Sequence, residues 1–279
     1  MKICRSISEC REALGAFRAK GHSIGLVPTM GYLHQGHMSL VAEAQARAEC
    51  VVVTIFVNPT QFGEGADLAA YPRDEARDLD MLKAAGVDLV LIPEVAAIYP
   101  DGDETIVETT RMANMLHGLV RPGHFRGVTT VVARLFNIVQ PDIACFGEKD
   151  FQQLQVIKRM TRDLAFPIDI IGVPTVREED GLAMSSRNVR LSAEGRAAAI
   201  VLNKALDQAE QAEKTVETLR DTIARHIATE PRALLRGLDI VSADTLAAIS
   251  GPLQTAAAVM LSVEFDGILL IDQRVISHE

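Results

Sequence analysis

The chain has 279 residues, of which 48% are hydrophobic and 23% are charged, and its formal net charge at pH 7 is −9. At roughly 100–200 residues per domain, this length predicts two domains with a hydrophobic core. The acidic balance argues against a nucleic-acid-binding protein, but it is compatible with a local basic pocket for an anionic substrate.

No stretch approaches the ~18–20 apolar residues of a membrane helix. The first residues carry scattered charges where a signal peptide has an apolar core, so we expect the mature chain to start near Met1. The four cysteines lie far apart, without a CxxC pair, which favours reduced thiols over disulfides or a metal–thiolate site. These features predict a cytoplasmic protein with no membrane partner.

Strands alternate with helices from the N-terminus to about residue 175. After a short strand and an amphipathic helix within residues 1–20, the predicted strands are 24–28, 51–57, 87–92, 143–147 and 168–173. The predicted helices are 39–48, 74–85, 128–140 and 151–164. Strands that are apolar on both faces and alternate with helices indicate a parallel sheet covered on both sides. Ligands bind at the carboxyl ends of such strands, so the loops after Pro28, Val57 and Phe146 are expected to lie near one another.

The pattern changes after about residue 175. Residues 193–226 are rich in helix-forming residues and predict two helices. Three strands follow at 238–241, 258–265 and 268–276, and the last two flank Asp266-Gly267, a two-residue hairpin signal. This part of the chain predicts a small α+β domain with an antiparallel sheet.

The segment PTMGYLHQGH, residues 28–37, follows a predicted strand and opens a predicted helix. A helix N-terminus presents unpaired N–H groups and a partial positive charge, so it binds anions readily. Gly31 and Gly36 allow close approach of the backbone, and His34 and His37 can face the same phosphates. A capped helix with two surface histidines would show the same letters, but the strand–loop–helix context favours phosphate binding. A zinc site is less favoured, because no third ligand accompanies the pair.

The segment FVNPTQFG, residues 56–63, ends the most strongly predicted strand. Asn58 and Gln61 carry amides that donate and accept hydrogen bonds, which suits a hydroxyl or carboxylate of a substrate. Asn-Pro is also a common turn signal, so Asn58 has a structural alternative. Gln61, beyond the turn, is the better candidate for substrate binding.

The segment FGEKDFQQ, residues 146–153, forms another strand-to-helix junction. Lys149 supplies a mobile cation for a phosphate, and Asp150 either contributes to the site or caps the helix. Gln153 follows Asp150 by three residues and lies on the same face of the helix start.

Two further segments are rich in arginine. In REEDGLAMSSRN, residues 177–188, two serines stand beside Arg187, which indicates either a mobile phosphate clamp or a flexible linker. In RPGHFRG, residues 121–127, two arginines and a histidine occupy a glycine-rich loop, which is either close to an anion site or merely solvated.

The His-x-Gly-His turn with a Met-Ser-Ser-Arg segment far downstream resembles the nucleotidyltransferase superfamily with its HIGH motif. The ordered set PTMGYLHQGH, FVNPTQF, AYPRD, RPGHFRG, FGEKDFQQLQVI and REEDGLAMSSRN, over about residues 24–195, resembles the pantothenate synthetase family. The resemblance implies that (R)-pantoate and β-alanine are joined through a pantoyl adenylate, with ATP cleaved to AMP and pyrophosphate. It also implies magnesium and a homodimer.

The resemblance implies a Rossmann-like doubly wound N-terminal domain, residues 1–175, that binds nucleotide and pantoate, and a smaller α+β lid domain, residues 176–279. His34, His37, Lys149 and Arg187 are the implied catalytic residues. The implied ATP-binding residues are Met30, Gly31, Tyr32, Leu33, His34, Gln35, Gly36, His37, Gly147, Glu148, Lys149, Asp150, Val176, Met184, Ser185, Ser186 and Arg187. Pantoate and β-alanine are assigned to Gln61, Gln153, Tyr71 and Arg121, and magnesium to Asp78, although this chain reads Asp74-Glu75-Ala76-Arg77-Asp78 where family members often have adjacent acids.

Two alternatives remain at this point. Another adenylyltransferase of the same superfamily would share the His-x-Gly-His turn but transfer AMP to a phosphorylated acceptor. The paired glutamines and the lack of a second obvious phosphate site speak against it. A non-catalytic binding protein with the same fold would be expected to have lost some polar motif residues, and all of them are present.

Overall fold

The computed structural model describes residues 1–63 and 68–278. The chain forms two compact units, the first made of Met1–Gly147 and Val156–Val173, the second of Glu148–Gln155 and Pro174–Glu279. The last residue of the predicted C-terminal domain, Glu279, lies outside the described residues. The predicted domain boundary after residue 175, and the binding and lid roles of the two domains, stay predictions.

A parallel sheet of six strands organises the first unit, in the order β1-β4-β3-β2-β5-β6. The strands are β1 Lys2–Cys4, β2 Ile24–Thr29, β3 Cys50–Ile55, β4 Leu89–Leu91, β5 Ile143–Gly147 and β6 Asp169–Val173. The central strand β2 pairs with β3 on one side and β5 on the other, so the carboxyl ends of these three strands are adjacent. The predicted α/β class with a Rossmann-like parallel sheet is confirmed.

Helices cover both faces of this sheet. They are α1 Ile7–Arg18, α2 Gln35–Arg47, α3 Glu75–Ala84, α4 Val95–Ile98, α5 His117–Val120, α6 His124–Val139 and α7 Phe151–Asp163. The first residues of α7, up to Gln155, belong to the second unit. Residues of α2 and α3 form one buried cluster with alternate strand residues such as Val27 and Val53. On the other face α1 contacts α6, and Phe136 of α6 packs edge-on against Phe146 of β5.

Two helices begin earlier than predicted. Helix α2 starts at Gln35 instead of residue 39, since the side chain of His34 takes the N-cap position. Helix α6 starts at His124 instead of residue 128, after Gly123 in the left-handed conformation with φ 80°. Histidine is not among the usual N-cap residues, so the start of α2 carries no standard sequence signal, whereas Gly123 is an accepted N-cap.

The second unit contains an antiparallel sheet in the order β7-β8-β9, formed by Leu234–Ser242, Ala257–Phe265 and Ile268–Ile276. Its helices are α8 Ala193–Ala198, α9 Val201–Gln211 and α10 Val216–Ile227, where two were predicted. The additional break follows Ala199, although Ala199 and Ile200 keep right-handed helical angles. Asp266 and Gly267 have φ of 50° and 83°, the left-handed conformation that a tight two-residue hairpin requires. The predicted small α+β domain is confirmed.

Candidate active site

The turn between β2 and α2 lies at the carboxyl end of the central strand. Its backbone is left-handed at Gly31 and at Tyr32, with φ of 81° and 52°. A Cβ atom on Gly31 would lie 3.0 Å from Oδ2 of Asp78 and 3.0 Å from Cγ2 of Ile55, so both the backbone angle and the space require glycine. His34 follows this sharp turn and is the N-cap residue of α2.

His34 and His37 form a reciprocal cap on the N-terminus of α2. Nδ1 of His34 accepts the N–H of Gly36 at 3.2 Å, and Nδ1 of His37 accepts the N–H of His34 at 3.2 Å. The ring centroids are 4.1 Å apart. Because Nδ1 is the acceptor in both rings, each neutral imidazole carries its proton on Nε2. The turn therefore combines two ring N–H donors with a helix N-terminus, an arrangement suited to an anion.

Asp78 of α3 accepts two backbone hydrogen bonds from the same turn. The carboxylate is only 1% exposed, and it accepts the N–H of Tyr32 at Oδ2 and the N–H of Leu33 at Oδ1, each at 2.7 Å. Burial raises the pKa of Asp78, while the two N–H donors act in the opposite direction. The structure thus gives Asp78 two backbone partners, and its assignment to magnesium stays a prediction.

Gln61 sits at the end of a 3₁₀ turn, Pro59–Gln61, that follows β3. The buried Asn58 orients it, since Nδ2 of Asn58 donates to Oε1 of Gln61 at 3.0 Å and to the carbonyl of Gly127 at 3.1 Å. The hydroxyl of Tyr99 donates to Oδ1 of Asn58 at 2.8 Å. Nε2 of Gln61 in turn reaches Sδ of Met30 at 3.3 Å, so the two predicted turns of the first unit are in contact.

The start of α6 packs against the turn that carries Gln61. A Cβ atom on Gly127 would lie 2.5 Å from the carbonyl oxygen of Thr60, so only glycine permits this approach. Nδ1 of His124 lies 2.8 Å from the carbonyl oxygen of Gln61. Arg121 is close by, with Nη1 3.5 Å from Nε2 of His124. The arginine-containing loop is therefore joined to the turn bearing Gln61, as the functional interpretation of RPGHFRG requires.

Tyr71, the other residue assigned to substrate in this unit, stacks edge-on with Phe62 at a centroid distance of 5.9 Å. Phe62 directly follows Gln61 along the chain. The first unit thus brings Met30, Gln61, Arg121 and Tyr71 into one connected region, while Asp78 lies behind the turn.

In the second unit, residues 148–150 form a 3₁₀ turn that packs against β9. Helix α7 begins directly after it at Phe151, the predicted start. Lys149 and Gln153 are half-buried. No ion pair involves Lys149 within residues 1–63 and 68–278, so its charge is not neutralised by a carboxylate of the described chain.

The segment before Arg187 is a small hairpin rather than an unstructured linker. Arg177 and Ala183 form an antiparallel bridge, and the N–H of Met184 donates to the carbonyl of Val176 at 3.0 Å. Two hydrogen bonds, of 2.7 and 3.0 Å, join the guanidinium of Arg177 to the fully buried carboxylate of Asp272 in β9. Ser185 then accepts the N–H of Arg187 at its Oγ, at 3.2 Å. The predicted clamp residues therefore follow a structured base.

The sequence did not reveal how three residues support the site. For Asn58 it left a substrate-binding and a structural role open, and in the structure Asn58 donates to Gln61. His124 was noted only as part of a loop, and Tyr99 carried no signal because it reaches Asn58 from 41 residues away. Turn chemistry at Asn58-Pro59 was the available clue.

No group of three or more His, Cys, Asp or Glu side chains able to hold a metal ion occurs among the described residues. None of the helices in the described part of the chain is long and apolar enough to span a membrane. The four cysteines are all buried, and each is free of a disulfide bond.

The parallel sheet and the histidine-capped helix at its central strand define a Rossmann-like α/β protein whose first strand-to-helix turn has the geometry suited to an anion. Residues 2–275 match the family model for pantoate-beta-alanine ligase. The chain is 49% identical over 283 residues to the pantothenate synthetase of Agrobacterium fabrum strain C58, an alignment that covers 100% of this chain and 97% of that protein. With the Rhizobium meliloti pantothenate synthetase the identity is 50% over 281 residues, covering 99% and 97%.

Solved structures agree with the sequence relatives. The pantothenate synthetase of Thermus thermophilus superimposes with a TM-score of 0.92 at 44% identity, covering 98% of this chain and 99% of that one. The pantoate-beta-alanine ligase of Francisella tularensis, complexed with beta-gamma ATP and beta-alanine, has a TM-score of 0.82 at 33% identity, covering 99% and 97%. The chain belongs to the pantoate-beta-alanine ligase family. The predicted ligation of pantoate and β-alanine is confirmed, and the alternative of a phosphorylated acceptor finds no support.

Proposed function

We propose that the chain activates pantoate with ATP bound at the turn of residues 30–37 and then transfers the acyl group to β-alanine. The observation that carries the proposal is the reciprocal cap at the start of α2, which fixes the ring proton of His34 and of His37 on Nε2. The relative from Francisella tularensis was solved with beta-gamma ATP and beta-alanine, which supports ATP and β-alanine as substrates here.

The chemistry explains why a nucleotide is needed. A carboxylate is a poor acyl donor because its oxygen is a poor leaving group. When a carboxylate oxygen of pantoate bonds to the α-phosphorus, the bond to pyrophosphate breaks and a pantoyl adenylate forms. The neutral amine of β-alanine then attacks the acyl carbon, AMP leaves with the oxygen, and the nitrogen loses a proton. Negative charge grows on the phosphates in the first step, so fixed donors and cations lower its barrier.

The residue roles follow from this chemistry. His34, His37, Lys149 and Arg187 stabilise the phosphate charge, and Gln61 and Gln153 hold pantoate, with Tyr71 and Arg121 as further substrate contacts. The remaining nucleotide contacts are Met30, Gly31, Tyr32, Leu33, Gln35, Gly36, Gly147, Glu148, Asp150, Val176, Met184, Ser185 and Ser186. The connection from Gln61 to Met30 supports placing pantoate beside the nucleotide. Closure of the segment from Met184 to Arg187 would keep water from the mixed anhydride.

Magnesium, expected from the resemblance, does not fit a protein-held site at Asp78. Both oxygens of that carboxylate already accept backbone N–H groups, and the group is buried. Mg²⁺ prefers six oxygen ligands and usually keeps several waters, which a nucleotide can accommodate in solution. We propose that any magnesium enters with the phosphates of ATP. The homodimer and the cytoplasmic location also stay predictions, and light scattering during gel filtration will test the first.

The test is pyrophosphate release from ATP and pantoate before β-alanine is added. Release by the unmodified chain supports the adenylate route, whereas release only after β-alanine indicates a concerted reaction. In His37→Ala we expect the rate to fall by about 10²–10³-fold, the usual effect of removing one donor to developing oxyanion charge. His278→Ala, at an exposed position near the C-terminus, is the control and should keep the unmodified rate. A normal rate in His37→Ala would contradict the phosphate role.

A further inference from the structure

Asp78 is a buried carboxylate that the proposed chemistry does not use. It lies in the first turns of α3, and its two oxygens accept the N–H groups of consecutive residues, Tyr32 and Leu33, at 2.7 Å each. These residues come 46 and 45 positions earlier in the chain. One carboxylate therefore joins α3 to the turn that leads into the His34–His37 helix.

This turn needs an external partner. Gly31 and Tyr32 both have positive φ, and for a residue with a side chain this conformation persists only when its surroundings hold it. The N–H of Leu33, a residue 1% exposed, would be an unpaired buried donor without Asp78. Arg77 of the same helix adds a second contact, since its guanidinium lies 5.5 Å from the ring centroid of Tyr32. Helix α3 thus holds the turn through two adjacent side chains.

The same geometry argues against Asp78 as a direct magnesium ligand. Each of its oxygens already accepts a backbone N–H, and Gly31 approaches Oδ2 so closely that an added Cβ atom would lie only 3.0 Å from it. A hydrated Mg²⁺ ion needs near-octahedral room around it. Arg77 also places a positive charge beside the carboxylate.

We propose that Asp78 is a positioning residue and does not bind magnesium. It sets the shape of the turn of residues 30–34, and thereby the direction in which the hydrogen-bond donors at the start of α2 point. This inference rests on the proposed binding of ATP at that turn. Its consequence is that ATP affinity depends on Asp78 even when no divalent metal is present, because the effect passes through the backbone and not through an ion.

The experiment measures ATP binding to the full chain by calorimetry in EDTA, and separately the Mg²⁺ concentration that gives half-maximal pyrophosphate release. In Asp78→Asn, one accepting oxygen becomes an NH₂ group that faces a backbone N–H. We expect ATP affinity in EDTA to fall by about tenfold or more, equivalent to about 1.4 kcal/mol, with the Mg²⁺ requirement unchanged. Asp80→Asn, an exposed position of the same helix, should match the unmodified chain in both measurements.

A metal-ligand role gives the opposite pattern, with unchanged affinity in EDTA and a raised Mg²⁺ requirement, and that result would overturn the proposal. Should Asp78→Asn fail to fold, hydrogen exchange of the unmodified, ligand-free chain provides a second measurement. The amides of Tyr32 and Leu33 should exchange slowly without metal, and fast exchange would contradict their hydrogen bonds to Asp78. His37→Ala separates the two hypotheses. If it binds ATP normally, the proposed nucleotide site is wrong; if it binds weakly and Asp78→Asn does not, only the positioning role is wrong.

Discussion

Replacement of Asp272 by asparagine should destabilise the second unit and, with it, the base of the predicted phosphate clamp. Asp272 is fully buried in β9, and its two oxygens accept the Nη1 and Nη2 groups of Arg177 at 2.7 and 3.0 Å. Nη1 of Arg177 also donates to the carbonyl of Gly181 at 3.1 Å, inside the hairpin that leads to Met184. Loss of the carboxylate charge therefore leaves a largely buried guanidinium without its anionic partner.

The expected magnitude follows from this burial. Breaking a buried ion pair by removing one partner lowers the free energy of unfolding by about 3–5 kcal/mol, because the remaining charge is uncompensated. The side chain of Arg177 is 20% exposed, so water relieves part of the penalty and we expect the lower end, about 3 kcal/mol. At about 2–4 °C for each kcal/mol, Tm should fall by about 6–12 °C. Glu264, which pairs with Arg236 at the surface of the same sheet, is the matched control.

The assay is urea unfolding followed by circular dichroism, with Asp272→Asn compared with Glu264→Gln. The control should lose no more than about 1 kcal/mol, the usual worth of an exposed pair. The double variant Arg177→Met with Asp272→Leu should recover much of the loss, because it removes both charges together. Equal losses for Asp272→Asn and Glu264→Gln, or a double variant no more stable than Asp272→Asn, would refute the importance of this pair.

Three further predictions concern the first unit. Gly31→Ala should lower the free energy of unfolding in urea by at least about 1–2 kcal/mol, because of the positive φ alone, and it should also weaken ATP binding. Gly102→Ala is the control: Gly102 has φ 78° and open space around it, so only the backbone conformation should lower its stability. Gln61→Ala should weaken pantoate far more than ATP in steady-state kinetics, and equal losses would indicate a structural role. The thiols of the folded chain should resist iodoacetamide at pH 8. Burial raises the pKa of Cys10 to about 11, of Cys50 to about 12 and of Cys145 to about 11. The reactive thiolate should therefore form only when the pH approaches these pKa values or when the chain unfolds. Rapid labelling of the folded chain would contradict this burial.

The sheet and the hairpin were predictable because their signals are local. Apolar strands such as β3, alternating with helices, indicate a parallel sheet, and Asp266-Gly267 supplies the residues that a tight hairpin needs. The histidine pair was also found, but not its tautomer, because only the structure shows which ring nitrogens accept backbone N–H groups. The sequence could not predict the hydrogen bonds of Asp78 to the turn, since the N–H groups that it accepts belong to residues 45 and 46 positions away.

A common physical problem explains the supporting residues in both units. Turns at strand ends leave backbone and amide groups without partners from a β-ladder, and burial makes each unpaired group costly. Three side chains, each 1% exposed, address this problem next to proposed site residues. Asp78 and Asn58 bond backbone groups directly, beside the turn before His34 and beside Gln61. Asp272 acts through Arg177, whose guanidinium it holds and which donates to the carbonyl of Gly181. Because these side chains hold the shape of the turns, their loss should lower stability and function together. Loss of a half-buried donor such as His37 should affect function with little change in stability, so unfolding measurements on the same variants will distinguish support from chemistry.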